Sequence, residues 1–209
     1  MWRQMRAAVS SVVLFTAVFG VLFPFVVTGL SRLMFPRQAD GSLLIRDGHV
    51  IGSTLIGQGF ASPRYFHPRP SAAGAGYDAG ASAATNLGPT SDKLIHGIHR
   101  KLPNGQDDPG NFDGIADLVR AYRAENGLAP DTPIPADAVT RSASGLDPEI
   151  SPANAELQVA RVASERGVSP ASVRALVTRH TEPRQLGFLG EPRVNVLELN
   201  LDLDRATPR

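Results

Sequence analysis

Residues 7–31 form an unbroken run of 25 positions without a charged side chain, closed at its ends by Arg6 and Arg32. As a helix the run reaches about 37 Å at about 1.5 Å per residue, enough to cross a hydrocarbon core of about 30 Å. A helix apolar on every face needs lipid or a large protein around it, and the 174 residues from 36 to 209 are too few to enclose one. The competing reading is a cleaved signal peptide, with Val27-Thr28-Gly29 as its cleavage site. Such peptides have an apolar stretch of about 7 to 15 residues, whereas here apolar character resumes with Leu30, Leu33, Met34 and Phe35. The expectation is a retained transmembrane helix over 7–35 behind a short cytoplasmic tail, 1–6. Arg3 and Arg6 before the span and Arg32, Arg37 and Arg46 after it hardly discriminate orientation. The short leading tail favours a cytoplasmic N-terminus and an extracytoplasmic main domain.

Within the span Thr16, Gly20, Pro24 and Thr28 recur every four residues and share one helix face. Small residues on such a face let a neighbouring helix approach closely, so these four are candidates for transmembrane packing. Pro24 alternatively serves only to kink the helix.

With Arg3, Arg6 and Arg32 set aside, residues 33–209 carry 18 Lys and Arg against 20 Asp and Glu. This near-neutral balance excludes a nucleic-acid partner, which needs a clustered basic surface. The chain has no cysteine, hence no disulfide and no thiolate metal site.

After a linker, 36–41, the apolar stretches around Asp47-Gly48 predict a tight hairpin. Residues 61–90 are rich in Gly, Pro, Ser and Ala and read as loop. Leu94, Ile95, Ile98 and Leu102 have helical spacing after a cap at Thr90 or Ser91, and a second helix is predicted over 113–126, ended by Gly127. Ser151-Pro152 and Ser169-Pro170 announce two more helices, since Ser caps and Pro fits the first turn. Residues 195–204 stay open between strand and helix: Leu197, Leu199, Leu201 and Leu203 alternate, yet Asn195 and Glu198 form a capping pattern. The fold expected is a single N-terminal transmembrane helix followed by one mixed α+β extracytoplasmic domain, 42–209, with more helix than strand.

Catalytic motifs fail at the residues that matter. Gly52 and Gly57 match the glycines of a phosphate loop, but Gln58 and Gly59 stand where lysine and the metal-binding hydroxyl belong. Gly57-x-Gly59-x-x-Ser62 lacks the third glycine of a dinucleotide fingerprint. Gly80-Ala81-Ser82-Ala83-Ala84 misses the last glycine of a hydrolase elbow. Of the five histidines only His96 and His99 could share a helix face, without a third zinc ligand. Asp107-Asp108 lies in a loop and reads as solvated.

The segment Ser62-Pro63-Arg64-Tyr65-Phe66-His67-Pro68-Arg69-Pro70-Ser71 concentrates aromatics, arginines and prolines. An extended backbone presenting such groups suits a partner interface; the alternative is that Tyr65 and Phe66 plug the core while the arginines face water. From here the chain resembles a known family. Phe35-Pro36-x-Gln38-Ala39-x-Gly41-Ser42-Leu43, Gly52-Ser53-x-Leu55-Ile56-Gly57-Gln58-x-Phe60, Tyr65-Phe66-His67-Pro68-Arg69-Pro70-Ser71-Ala72, Asn86-Leu87-Gly88-Pro89-Thr90, Ser144-Gly145-Leu146-Asp147-Pro148, Gln158-x-x-Arg161-Val162-Ala163 and Leu189-Gly190-Glu191-Pro192-Arg193-Val194-Asn195-Val196 follow in the order and spacing of the C subunit (KdpC) of Kdp high-affinity potassium-transporting P-type ATPases. Ala83-Ala84-Thr85 departs from the glycine-rich stretch the family tends to have before Asn86, and Asp40 stands where it commonly has Asn.

The resemblance implies a non-catalytic subunit of an ATP-driven potassium uptake complex in the bacterial inner (cell) membrane. Its partners would be a potassium-conducting A subunit, a P-type ATPase B subunit, a small F subunit and the lipid bilayer. It would have no cofactor of its own, ATP and potassium belonging to the complex. A chaperone-like role is attached to the family, raising the ATP affinity of the B subunit, with a glutamine matching Gln158 named as contacting nucleotide. The topology expected here sets Gln158 across the membrane from cytoplasmic ATP, so coupling through the membrane helices is the more physical version. The bland alternative for Gln158 is a solvent-facing helix residue. Tyr65, Phe66, His67, Arg69 and Asn86 are the expected partner-interface residues. The rival function is a stand-alone membrane-anchored extracytoplasmic hydrolase or solute-binding protein.

Overall fold

The computed structural model describes residues 1–206; the last three residues of the expected domain lie outside the described residues. The chain divides into two units, Met1–Ser53 and Thr54–Arg209.

The first unit is dominated by one helix, Trp2–Met34, long and apolar enough to cross a membrane. It runs as α1 (Trp2–Phe15), a π-helical segment (Thr16–Leu22) and α2 (Phe23–Met34). Pro24 has no N–H to donate and its ring crowds the carbonyl four residues back, at Gly20. The wider i→i+5 turns lie just before that proline, where the α-helical ladder would otherwise be broken. Thr16 and Gly20 fall inside the π segment, and Pro24 and Thr28 in α2.

A short helix, α3 (Pro36–Ala39), occupies the expected linker. Strands β1 (Leu43–Arg46) and β2 (His49–Ser53) pair antiparallel around Asp47-Gly48. Both turn residues have positive φ, 52° and 78°, the backbone twist that matches the strands. The hairpin belongs to the same unit as the long apolar helix.

In the second unit, residues 54–90 contain no regular helix and lead to α4 (Asp92–His96), capped by Ser91, whose Oγ accepts from the Leu94 N–H at 3.4 Å. α4 is shorter than the spacing up to Leu102 suggested. Gly97 ends it at φ 82°, where a Cβ would sit 2.5 Å from the Phe112 carbonyl oxygen; Ile98 then bridges to Phe112 instead of continuing the helix. His96 and His99 consequently do not share a helix. α5 (Ile115–Asn126), α6 (Ala136–Val139), β3 (Glu149–Ile150), α7 (Pro152–Arg166), α8 (Pro170–Arg179), β4 (Thr181–Glu182), β5 (Arg193–Asn195) and α9 (Val196–Ala206) follow.

The open element resolves into both forms in succession. β5 ends at Asn195, whose Oδ1 accepts from the Glu198 N–H at 3.1 Å and starts α9. The three strands order β3-β5-β4, all antiparallel. The main core gathers Val159 and Val162 of α7, Val173 and Leu176 of α8, and Leu199 and Leu203 of α9 around Ile150, Val194 and Phe66. A second cluster joins Tyr122 of α5 to Ala138 and Val139 of α6.

Candidate partner interface

The proline-rich segment does not lie on the surface as a loose strip. Phe66 is 0% exposed and belongs to the main core, so its side chain offers a partner nothing: of the two sequence readings, the core plug is the one that holds for this residue. Burying an extended backbone leaves its N–H and C=O groups in need of partners, and no neighbouring strand supplies them here. Side chains do. The Asn200 carboxamide of α9 accepts from the Phe66 N–H and donates to its carbonyl, both at 2.9 Å. One residue on, the Gln158 carboxamide of α7 accepts from the His67 N–H at 2.7 Å and donates to the His67 carbonyl at 3.0 Å. Successive residues are thus held by two amides that mimic the bonding of a strand.

Arg161, a turn after Gln158 on α7, donates to the carbonyls of Pro63 and Tyr65 at 2.6 and 2.9 Å. Arg166 at the end of the same helix donates to the Arg64 carbonyl at 2.7 Å and pairs with Asp204. Tyr77 donates its hydroxyl to the Arg69 carbonyl at 2.7 Å; burial pushes that phenol well above its ordinary range.

Gln158 is 1% exposed, which overturns the solvent-facing reading. Its Oε1 also accepts from Arg161 at 2.8 Å, and its Nε2 also donates to Asn154 at 2.9 Å. A carboxamide has two acceptor sites and two donor hydrogens, and all four are committed within this chain. No hydrogen-bonding capacity remains for a nucleotide.

The half-buried residues point elsewhere. Tyr65 donates to Asp204 at 3.0 Å, while its ring meets Phe60 and the Arg166 guanidinium. The His67 ring lies between the Glu125 carboxylate and the Ser62 carbonyl, and the hydrogen bond from His67 holds the Glu125 carboxyl below the usual glutamate range. Arg69 pairs with Asp147 at 2.8 Å. That pair separates two open clefts of about 550 and 570 Å³. The first is lined by Asp137, Glu149 and Arg193, the second by Leu55, Ile56 and Leu146. Asn86 is exposed, with φ 51°, a conformation asparagine tolerates better than most.

One of the two glycines that half-match a phosphate loop, Gly57, has a packing reason. The Gly57 N–H donates to the Leu146 carbonyl at 2.8 Å, and a Cβ at 57 would lie 2.5 Å from the Asp147 carbonyl oxygen. As for metals, His99, Asp113 and Asp117 bring potential ligand atoms within 4.8 Å of one another. A cation there would displace Arg120 from Asp117 and face the positive end of α5.

The sequence reading missed Asn154, Arg166, Asn200, Glu125 and Asp147. One local signal existed: Asn154, Gln158 and Arg161 share a helix face at four- and three-residue spacing. The geometry unites His67 with Gln158, while Thr16, Gly20, Pro24 and Thr28 lie in the other unit.

Residues 5–205 match the family described as KdpC: K+-transporting ATPase, c chain. The potassium-transporting ATPase KdpC subunit of Koribacter versatilis is 50% identical over 208 residues, covering 100% of this chain and 97% of that protein. Its counterpart from Mycobacterium bovis is 51% identical over 205 residues, covering 98% and 100%. That of Gemmatimonas aurantiaca is 50% identical over 205 residues, covering 98% and 94%. The chain belongs to the KdpC family of potassium-transporting ATPase subunits, and is an accessory subunit of that complex rather than a stand-alone hydrolase or solute-binding protein.

Proposed function

We propose that this chain leaves ATP hydrolysis to a P-type B subunit and serves assembly of the complex with that subunit, a potassium-conducting A subunit and a small F subunit. The observation that carries this reading is the full-length family match together with the solvent-exposed apolar helix Trp2–Met34. Such a helix is stable only in lipid or against other membrane helices. It is a single-pass anchor in the bacterial inner membrane, N-terminus cytoplasmic, with the second unit extracytoplasmic. Thr16, Gly20, Pro24 and Thr28 form the face that packs on a neighbouring subunit. ATP and potassium are ligands of the complex, and this chain has no cofactor of its own.

Any rise in the ATP affinity of the B subunit travels through helix packing, because Gln158 is spent on its own chain. Tyr65, His67, Arg69 and Asn86 remain the interface residues, with Arg69 between its two clefts the central one. Purification through a tag on the chain in mild detergent tests the reading: a P-type ATPase should copurify. Arg69→Ala should reduce its recovery while leaving thermal unfolding of the chain within a few degrees. A chain that purifies alone would contradict the proposal.

A further inference from the structure

The His67 ring sits where a single proton cannot satisfy it. Its Nδ1 lies 2.5 Å from the Glu125 carboxylate of α5, and its Nε2 lies 3.0 Å from the Ser62 carbonyl. Both partners are acceptors. A backbone carbonyl has no hydrogen to give, and the Glu125 carboxyl is held below the usual glutamate range and so is ionised. A neutral imidazole offers one N–H and one lone pair and meets only one of the two; an imidazolium offers two N–H groups and meets both. His96, His99 and His180 differ, each setting one ring nitrogen against an aspartate.

The other charged groups near the ring are engaged elsewhere. Arg161 of α7 comes within 3.9 Å of Glu125, but it donates to Asn126, Gln158 and the carbonyls of Pro63 and Tyr65, and Glu165 of the same helix acts on it with the opposite sign. Tyr122 of α5 is neutral, its phenol pushed above the ordinary range by burial. Arg64 donates to the Glu165 carbonyl, and Asp204 of α9 is taken by Tyr65 and Arg166. The Ser62 carbonyl also accepts from the Tyr65 N–H at 3.1 Å, so the ring braces the turn that opens the proline-rich segment. Without its Nε2 proton the ring would aim a lone pair at that carbonyl oxygen, while Nδ1–H stayed on the charged and stronger acceptor, Glu125.

We infer that His67 is a proton-dependent clasp: doubly protonated, it fastens the Ser62 end of the proline-rich segment to α5, and on losing its Nε2 proton it releases that end. The sign follows from the state the fold favours. The protonated ring is bonded twice in the folded chain, so the clasp is closed up through the ordinary histidine range, about 6.5, and opens as pH rises beyond it. Because the segment presents Tyr65, His67 and Arg69, proton concentration around the second unit sets how that surface is held. The inference concerns the chain by itself and stands whether or not the segment meets a partner.

Ring-nitrogen NMR of the full chain in detergent, labelled with ¹⁵N-histidine and assigned by replacing the other four histidines one at a time, reads the proton count directly. At about pH 7.5, roughly one unit above the ordinary histidine value, His67 should show two protonated nitrogens while the exposed His49 shows one. A bare nitrogen on His67 at that pH overturns the inference. Glu125→Gln should turn His67 neutral at the same pH, because the new carboxamide can donate to Nδ1 and leave the proton on Nε2 for Ser62; a ring still doubly protonated there also overturns it. The Tyr65 amide, corrected for the intrinsic effect of pH on exchange, should exchange roughly tenfold faster at pH 9 than at pH 6 in the wild-type chain. Equal corrected rates would show that the ring fastens nothing and would overturn the clasp.

Discussion

Truncating Gln158 to alanine separates a structural role from a nucleotide-contacting one. The substitution removes four hydrogen bonds, to the His67 N–H and carbonyl, to Asn154 and from Arg161. It leaves those partners in a region where Gln158 itself is 1% exposed. A buried polar group without a partner costs about 1–3 kcal/mol. Water admitted to the vacated space would restore some of the bonds, so a total of about 3–5 kcal/mol is the reasonable expectation. At about 2–4 °C per kcal/mol for a chain of this size, the melting temperature should fall by roughly 6–20 °C. The measurement is thermal unfolding of the full chain in detergent, followed by circular dichroism. Gln158→Glu sharpens it: a carboxylate still accepts from His67 and Arg161 but cannot donate to the His67 carbonyl or to Asn154, so an intermediate loss is expected. The reasoning is refuted if Gln158→Ala unfolds like wild type while the complex binds ATP more weakly.

Phe66→Ala empties a fully buried site in the main core and should destabilise the chain by about 3–5 kcal/mol in urea unfolding. Gly20→Leu should reduce recovery of partner subunits more than Val21→Leu, because bulk at a small-residue face blocks helix approach; equal recovery removes the packing face. Glu125 titrates below its ordinary range in the folded chain through the His67 hydrogen bond. Its contribution is therefore present above the unfolded value of about 4.3 and lost as pH falls through the lower folded value. Stability measured between about pH 5 and pH 3 should accordingly fall less steeply in Glu125→Gln than in wild type.

What could be read from the sequence was what local chemistry decides. Ser151-Pro152 and Ser169-Pro170 start α7 and α8 as predicted, each serine oxygen accepting from the N–H three residues on. Asp47-Gly48 turns the hairpin because both residues tolerate positive φ. What remained hidden depends on chain segments far apart. Asn154, Gln158 and Arg161 look like the wet face of α7 by composition, yet a strip some 90 residues earlier covers them. Phe66 reads equally as anchor or core until Asn200 is seen gripping its backbone. Helical spacing past Gly97 misled because backbone packing against Phe112 and Gly114, rather than side-chain periodicity, ends α4.

The central claim is that this chain assembles the potassium-transporting ATPase without hydrolysing ATP itself. Potassium-stimulated ATPase activity, measured on the complex purified with the chain, without it, and on the chain alone, tests that claim most directly. The account predicts no hydrolysis by the chain alone, loss of potassium-stimulated activity without it, and recovery when the full chain is restored. Hydrolysis by the isolated chain, or undiminished activity in a complex lacking it, would contradict the account.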